Sequence, residues 1–308
     1  MSFSLQVKRE IMSARSRDIS LRLAQLAGLT LSCGSIRLGK SPAALYQSES
    51  EEVAQYICKL TPRNLPLECT ILQKQKAHRK VPLYLVSFTG EAVPRLLEQI
   101  GVLSREGEGL KLHADIPPCA LYSEDAKRSF LRGCFLGGGY CSNPQRGYRV
   151  ELVLRSGSLA AELVPLLEKL SLRPERTQRN DRQVLYMQDA EGVTGFLALL
   201  GASVSAMALM DVQAEKDMRN YVNRANNCEM ANLSKQVDSS LQQQIAIRTV
   251  LEKVPHEKLS PSLREAAELR LNHPSATLVE LAELADIAKS GMYHRLARLV
   301  KLAQEWES

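Results

Sequence analysis

The stretch Leu26-Ala27-Gly28-Leu29-Thr30-Leu31-Ser32-Cys33-Gly34 occurs a second time, without a gap, as Leu131-Arg132-Gly133-Cys134-Phe135-Leu136-Gly137-Gly138-Gly139. Leucine, glycine, leucine and glycine fall at the same offsets in both copies, and each copy follows a helical run and ends in glycine. An internal repeat indicates the architecture of a chain before any single motif is interpreted. The sequence therefore predicts two related folding units, each opening with a glycine-containing helix.

The segments that follow the two copies repeat in the same order, which extends the similarity beyond two short strings. Alternating apolar residues predict strands, and apolar residues at three- and four-residue spacing predict helices. After the first copy we predict strands near 35–38, 43–46, 68–74 and 81–88 and helices over 51–60 and 91–100. After the second we predict strands near 148–155, 173–178 and 183–188 and helices over 159–170 and 193–200. The predicted fold class is α+β, with two pseudo-symmetric αββαββα repeats at about 17–104 and 124–203 in a first domain over 1–205.

The remainder of the chain is predicted to be helical. A long Gln- and Asn-rich stretch without glycine is assigned as a helical linker over 206–255, which Pro255 ends because proline lacks the N–H that a helix interior needs. A second domain over 256–308 is predicted to hold helices at 262–271 and 277–285 and a third from about Ser290. Thr277-Leu278-Val279-Glu280 forms a capping box, the signature of a helix start. Two amphipathic helices joined by the short turn 285–289 are typical of a helix-turn-helix.

Composition and charge exclude several classes of protein. The 308 residues are 44% hydrophobic and 24% charged, as in globular domains rather than disordered or fibrous chains. No apolar run of ~18 residues and no signal-peptide core is present, so we expect a cytoplasmic protein without membrane association. The seven cysteines are scattered and never spaced as CxxC, which favours reduced thiols over a disulfide framework or a zinc site. The net charge of +6 fits an anionic partner such as nucleic acid.

The two glycine-containing helices resemble the LAGLIDADG motif of homing endonucleases. In that motif, glycines allow two helices to cross closely, because a missing Cβ lets the backbones approach. The matching positions are Gly28 with Gly34, and Gly133 with Gly139. The resemblance implies a central helix seam between the two repeats, with a curved sheet on either side that forms a saddle for duplex DNA.

Both copies of the motif lack the acidic residues of the active nucleases. There, an acid just before the final glycine of each helix holds a divalent metal, since hard Mg²⁺ requires oxygen ligands that clamp the attacking and leaving oxygens. The matching positions are Cys33 and Gly138, and the other acidic position of the motif is replaced by Leu31 and Leu136. We therefore predict no catalytic residue, no bound metal, no cofactor and no enzymatic activity.

Two predicted hairpins carry basic residues at equivalent places in the repeats. A symmetric row of cations is what phosphate contacts on both sides of a duplex would require. Exposed hairpins are also often basic for solubility alone, and that alternative stays open. The candidate phosphate contacts are Lys74, Lys76, Arg79, Lys80, Arg173, Arg176, Arg179 and Arg182.

The third helix of the C-terminal domain is the stronger nucleic-acid signal. Met292, Leu296, Leu299, Val300 and Ala303 fall on one predicted buried face. Between positions 289 and 301 there are four Lys or Arg residues and no acid, as suits a recognition helix in the major groove of DNA. A solvated basic helix in a protein-binding bundle is the alternative. The candidate DNA contacts are Lys289, Ser290, Gly291, His294, Arg295, Arg298 and Lys301.

Over nearly its whole length, the chain resembles the WhiA family of Gram-positive bacteria. Besides the two glycine motifs, the resemblance rests on Ser2-Phe3-Ser4 with Val7-Lys8, Lys216-Asp217-Met218-Arg219-Asn220, Asn223-Arg224, Asn227-Cys228-Glu229, Ala231-Asn232-Leu233 with Lys235, and Lys289-Ser290-Gly291 with His294-Arg295-Leu296. The turn Leu284-Ala285-Asp286-Ile287-Ala288 departs from the family because it lacks the proline pair expected there.

The resemblance implies a regulator of sporulation, transcription, cell division and chromosome segregation that has lost nuclease activity. We expect double-stranded DNA as the main partner, a transcription or division protein as a further one, and location at the nucleoid. Because two repeats in one chain already supply the pseudo-dimer, we expect a monomer. The alternatives are a metal-dependent homing endonuclease or RNA maturase, and a protein-interaction platform for division or transcription factors.

Overall fold

The computed structural model describes residues 2–14, 16–62, 64–75, 81–107, 109–255 and 258–307. The chain divides into two compact units, Met1–Lys216 and Asp217–Ser308. This division falls inside a long helix and differs from the predicted boundaries at 205 and 255. The reason is that the end of the predicted linker packs into the second unit, where Ala246, Ile247, Val250 and Val254 belong to its core.

The secondary structure consists of eleven α-helices and ten strands within the described residues. The helices are α1 Phe3–Ser13, α2 Ile19–Cys33, α3 Glu51–Leu60, α4 Val93–Gln99, α5 Glu124–Gly138, α6 Gly157–Lys169, α7 Ala190–Leu199, α8 Ser203–Lys253, α9 Pro261–Asn272, α10 Leu278–Leu284 and α11 Lys289–Glu307. The strands are β1 Ser35–Arg37, β2 Ala43–Ser48, β3 Glu68–Lys74, β4 Leu83–Thr89, β5 Leu103–Glu106, β6 Gly109–Leu112, β7 Gly139–Cys141, β8 Val150–Leu154, β9 Glu175–Arg179 and β10 Arg182–Met187. None of the described helices is long and apolar enough to span a bilayer.

The first unit confirms the predicted α+β class with two αββαββα repeats. Their four-stranded antiparallel sheets have the same strand order, β1-β2-β4-β3 in the first repeat and β7-β8-β10-β9 in the second. Each repeat closes on a helix followed by a left-handed glycine, Gly101 with φ +70° and Gly201 with φ +82°. In the residue after each glycine, the backbone N–H donates to a carbonyl of the helix, from Val102 to Leu97 and from Ala202 to Leu197, as in a Schellman motif. The two repeats therefore end their last helix in the same way, which explains why an apolar helix followed by glycine occurs in both.

The strands β5, β6 and β7 and the helix α1 of the first unit were not predicted. The β5–β6 hairpin joins the repeats, β7 is only three residues long, and α1 precedes the first repeat. The helix α1 had a readable signal: Ser2 caps it, and Phe3, Val7 and Ile11 recur every four residues, with the last two fully buried. The Glu10 carboxylate at its other end accepts from the N–H groups of Val204 and Ser205, which caps the start of α8.

The prediction of reduced thiols is wrong for one pair. Cys58 at the end of α3 and Cys69 in β3 form a disulfide, with their Cα atoms 6.2 Å apart. The spacing of eleven residues carried no signal, because the bond depends on how the helix end packs against the strand. The free cysteines are Cys33, Cys119, Cys134, Cys141 and Cys228.

The second unit is a small helical core that presents α11. The predicted capping box is present: the Thr277 hydroxyl accepts from the N–H of Glu280 at 3.2 Å, and the Glu280 carboxylate accepts from the N–H of Thr277 at 2.6 Å. The turn between α10 and α11 closes through Asp286, which adopts a left-handed φ of +50°. An aspartate tolerates this conformation better than most residues, so the turn forms without the proline pair.

Candidate nucleic-acid interface and degenerate metal centre

The helices α2 and α5 meet at two glycines. A Cβ added to Gly28 would lie 2.1 Å from the carbonyl oxygen of Phe130, and one added to Gly133 would lie 1.9 Å from that of Gln25. Contacts this short are impossible for carbon against oxygen, so no other residue fits without separating the helices. The two positions thus set the distance between the repeats.

The other two predicted seam glycines have a different role. Gly34 and Gly139 are the C-caps of α2 and α5, and an added Cβ would first meet the last turn of the same helix, at Thr30 or Phe135. The prediction that they make the helix crossing is wrong, because the helices end before these residues. Gly137, which was not singled out, lies in the seam instead: its Cβ would come within 2.3 Å of Ser32 Oγ.

The positions of the missing acids do not fit a divalent metal. The Cys33 thiol donates to the carbonyl of Leu29 at 3.3 Å, and burial raises the pKa of this thiol to about 11. A Cβ at Gly138 would lie 2.3 Å from the carbonyl oxygen of Val153, so β8 occupies the space that a carboxylate would need. Within the described ranges, no group of three or more His, Cys, Asp or Glu side chains could hold a metal ion.

Cations of the protein itself lie at the C-terminal ends of both seam helices. The Lys8 ammonium donates to the carbonyl of Leu136 at 3.3 Å, and the Arg155 guanidinium donates to that of Cys33 at 3.1 Å, to Ser35 Oγ at 2.9 Å and to the carbonyl of Gly34. Each helix end carries roughly half a negative charge, which a cation there offsets. The seam therefore neutralises its helix ends with side chains, one from α1 and one from the residue that follows β8.

Iodoacetamide at about pH 8 is expected to modify Cys228 long before Cys33. Cys228 is exposed, whereas the raised pKa of Cys33 leaves a thiolate fraction roughly 100-fold smaller than that of an ordinary thiol. Peptide mass spectrometry over a time course measures both rates, with the urea-unfolded chain as the control in which they should converge. Equal rates in the folded chain would contradict the raised pKa of Cys33.

The candidate phosphate contacts on the sheets are only partly free. Arg176 donates to Gln183 Oε1 at 2.9 Å, and Arg179 pairs with Glu151 at 3.3 Å. Glu151 is buried and also pairs with Arg149 at 2.6 Å; burial raises its pKa, but the two guanidiniums outweigh burial and hold that pKa below its ordinary value. Two of the predicted cations of the second sheet are therefore already engaged.

The remaining candidates of this group differ in their surroundings. Lys74 ends the exposed strand β3, Arg173 is exposed before β9, and Arg182 is half-buried and lies 3.7 Å from Asp181. Lys76, Arg79 and Lys80 lie outside the described residues. The symmetric row of basic contacts stays a prediction.

The first sheet presents leucines on the face turned away from its core. Tyr46, Val86 and Phe88 are buried on one face, so the alternating residues Leu45 and Leu85 lie on the other. Leu72 pairs with Leu85 and is 58% exposed. The face that the LAGLIDADG resemblance assigns to DNA therefore carries leucines in this repeat, beside polar residues such as Gln47, Ser87 and Lys74.

In the second unit, α11 separates a buried face from a basic one. Met292, Leu296, Leu299 and Ala303 are buried in its core, and Val300 is partly buried against it. Among the candidate contacts, Gly291 and Arg295 are half-buried, and the exposed ones are Lys289, Ser290, His294, Arg298 and Lys301.

Ion pairs distinguish the cations of α11. Arg295 is 24% exposed and pairs with Glu265 of α9 at 2.8 Å. The pair connects α11 to α9 and makes Arg295 less available for base edges than predicted. Arg298 and Lys301 are 52% and 66% exposed and approach Glu305 at 3.7 and 4.0 Å. Exposed pairs of that length contribute little, so these two cations are available to a polyanion.

Tyr293 was missed as a candidate contact. It is 55% exposed, and its ring stands edge-on to that of His294 with the centroids 5.7 Å apart. An exposed aromatic beside the buried Met292 on α11 was a readable signal. The pair adds an apolar and hydrogen-bonding surface to the basic face of the helix.

Comparisons with known proteins agree with both units. The family model of the WhiA LAGLIDADG-like domain matches residues 23–105 and 127–219, and that of the WhiA C-terminal HTH domain matches residues 222–303. Relatives named probable cell division protein WhiA, from Clostridium novyi (strain NT) and Clostridium perfringens (strain 13 / Type A), are each 34% identical over 99% of this chain and 98% of their own length. Full-length DUF199/WhiA from Thermatoga maritima has a similar fold, with a TM-score of 0.63 and 21% identity over 99% of both chains.

Proposed function

This chain belongs to the WhiA family, and from that premise we propose that it is a DNA-binding regulator without nuclease activity. The observation that carries the proposal is the exposed basic face of α11, held by a buried stripe on a helix-turn-helix. Its relatives are named cell division proteins, so we place its action in cell division, with transcription and chromosome segregation as the processes through which it works at the nucleoid.

Distinct roles are proposed for the side chains of α11. Ser290, His294 and Arg298 read base edges, because hydroxyl, imidazole and guanidinium groups all bond to the major-groove edges of bases. Lys289 and Lys301 contact phosphates and fix the register of the helix on the duplex. Arg295 positions α11 through Glu265.

Incubation of the purified chain with plasmid and Mg²⁺ or Mn²⁺ is expected to leave the plasmid supercoiled. The seam offers a neutral thiol and a bare backbone where a two-metal mechanism needs carboxylates. Gel electrophoresis measures the product, with a LAGLIDADG nuclease as the positive control. Cleavage that disappears on chelation of the metal would overturn the assignment.

Protein docking by the first unit is a second candidate function, favoured by the leucines on the outer face of the first sheet. The exposed side chains of Leu45 and Leu72 are better suited to an apolar partner surface than to a sugar-phosphate backbone. Capture of a transcription or division protein by the full chain, abolished by Leu72→Gln but not by Arg298→Ala, would support it. Capture that Leu72→Gln leaves unchanged would exclude this face.

A further inference from the structure

A polar cavity of about 310 Å³ opens at the C-terminal ends of α2 and α5. It lies between the two sheets, with Leu83 of the first and Val153 of the second in its wall. Gly137, Gly138 and Gly139 also line it. We propose that this cavity binds one phosphate group, from a nucleic-acid backbone or from a free phosphate, without a metal ion.

The charges that line the cavity favour a monoanion. Among the described residues that line it, the cations are Lys8, Arg155 and Arg182, and the acid is Glu49. The two helix ends add about one negative charge together, so three positive charges against one carboxylate and two helix ends leave roughly one positive charge. Asp181 also faces Arg182, but at 3.7 Å and 86% exposed its charge is screened by water.

The cations retain donors after their contacts within the protein. An ammonium has three N–H donors and a guanidinium has five. Lys8 donates to one carbonyl and is attracted to the Glu49 carboxylate, and Arg155 donates to two carbonyls and a hydroxyl. Burial and the neighbouring guanidinium of Arg182 lower the pKa of Arg155, and burial lowers the pKa of Lys8. An anion between these groups would raise the pKa of both side chains, because a nearby negative charge favours their charged forms.

A phosphate suits this arrangement better than a divalent cation. Guanidinium groups match the oxygens of a phosphate in shape and charge, and charge-assisted bonds of this kind are the strong ones. A cation in the same space would be repelled by the three positive side chains. The replacement of the motif's acids by Cys33 and Gly138 thus changes a cation site into an anion site, independently of α11.

The test uses inorganic phosphate as the probe and the full-length chain. Isothermal titration at low salt is expected to show saturable binding that Arg182→Gln weakens at least ~10-fold, since each charge-assisted bond contributes roughly 1.5–3 kcal/mol. Arg182 has no part in the helix contacts described above, so this variant keeps the seam intact. Arg105→Gln is the matched control, because Arg105 is exposed on the separate β5–β6 hairpin and pairs with Glu98 of α4.

The outcomes separate this proposal from the proposed function. No saturable phosphate binding by the wild-type chain, or equal binding by the Arg182→Gln and Arg105→Gln variants, would overturn it. In an Arg298→Ala background, displacement of phosphate by a short DNA duplex would identify the nucleic-acid backbone as the source, and retention would identify a free phosphate. Loss of duplex binding in that background with phosphate binding intact would support the roles of both α11 and the cavity.

Discussion

Replacing Gly133 by alanine is expected to lower the free energy of unfolding of the first unit by about 3 kcal/mol. The added Cβ would lie 1.9 Å from the carbonyl oxygen of Gln25, which belongs to helix backbone and cannot rotate away. The helices must therefore separate, and separation exposes apolar surface around Phe130 and Leu29, both fully buried now. Urea unfolding of the full chain, followed by circular dichroism, measures the change.

Gly147→Ala is the matched control for this experiment. Apart from its chain neighbours, no atom of the described residues lies within 4 Å of the position where its Cβ would stand, so its effect should stay within ~0.5 kcal/mol. If both substitutions had the same small effect, the close crossing of α2 and α5 would be refuted.

Arg298→Ala is expected to weaken binding to duplex DNA by roughly 10- to 100-fold, which is the usual cost of losing one arginine contact to a base. The guanidinium is 52% exposed and its ion pair with Glu305 is 3.7 Å long. Such an exposed pair contributes little, so the group is available to the duplex. Fluorescence anisotropy over a range of salt concentrations gives both the affinity and the number of phosphate contacts.

The charge-matched control is Arg248→Ala in α8, which removes an exposed arginine from the same unit without touching α11. Its affinity should remain close to that of the wild-type chain. Equal losses in the two variants would mean that the net charge of the unit, rather than α11, determines binding.

The fold was largely predictable because its signals are local. The repeated glycine motif, the period of the apolar residues and the glycines after α4 and α7 each depend on a few neighbouring residues, and they indicated both repeats. The capping box of α10 was predictable for the same reason, since its two bonds join residues three apart. Short elements such as β7 are too brief to show a period.

The candidate sites were less predictable because their contacts are distant in sequence. Lys8 and Arg155 reach the ends of α2 and α5 from elements far along the chain, so no motif connected them with Cys33. Arg295 was expected on the contact face, but Glu265, thirty residues away, takes its guanidinium. The disulfide of Cys58 and Cys69 likewise follows from the packing of α3 against β3.

Chromatin immunoprecipitation of the full chain from growing cells measures DNA occupancy where the protein acts, and so tests whether α11 binds DNA there. We predict discrete enriched sites that share a sequence, disappear with Arg298→Ala and persist with Arg248→Ala. A chain that enriches no sites, or the same sites with and without Arg298, would contradict it.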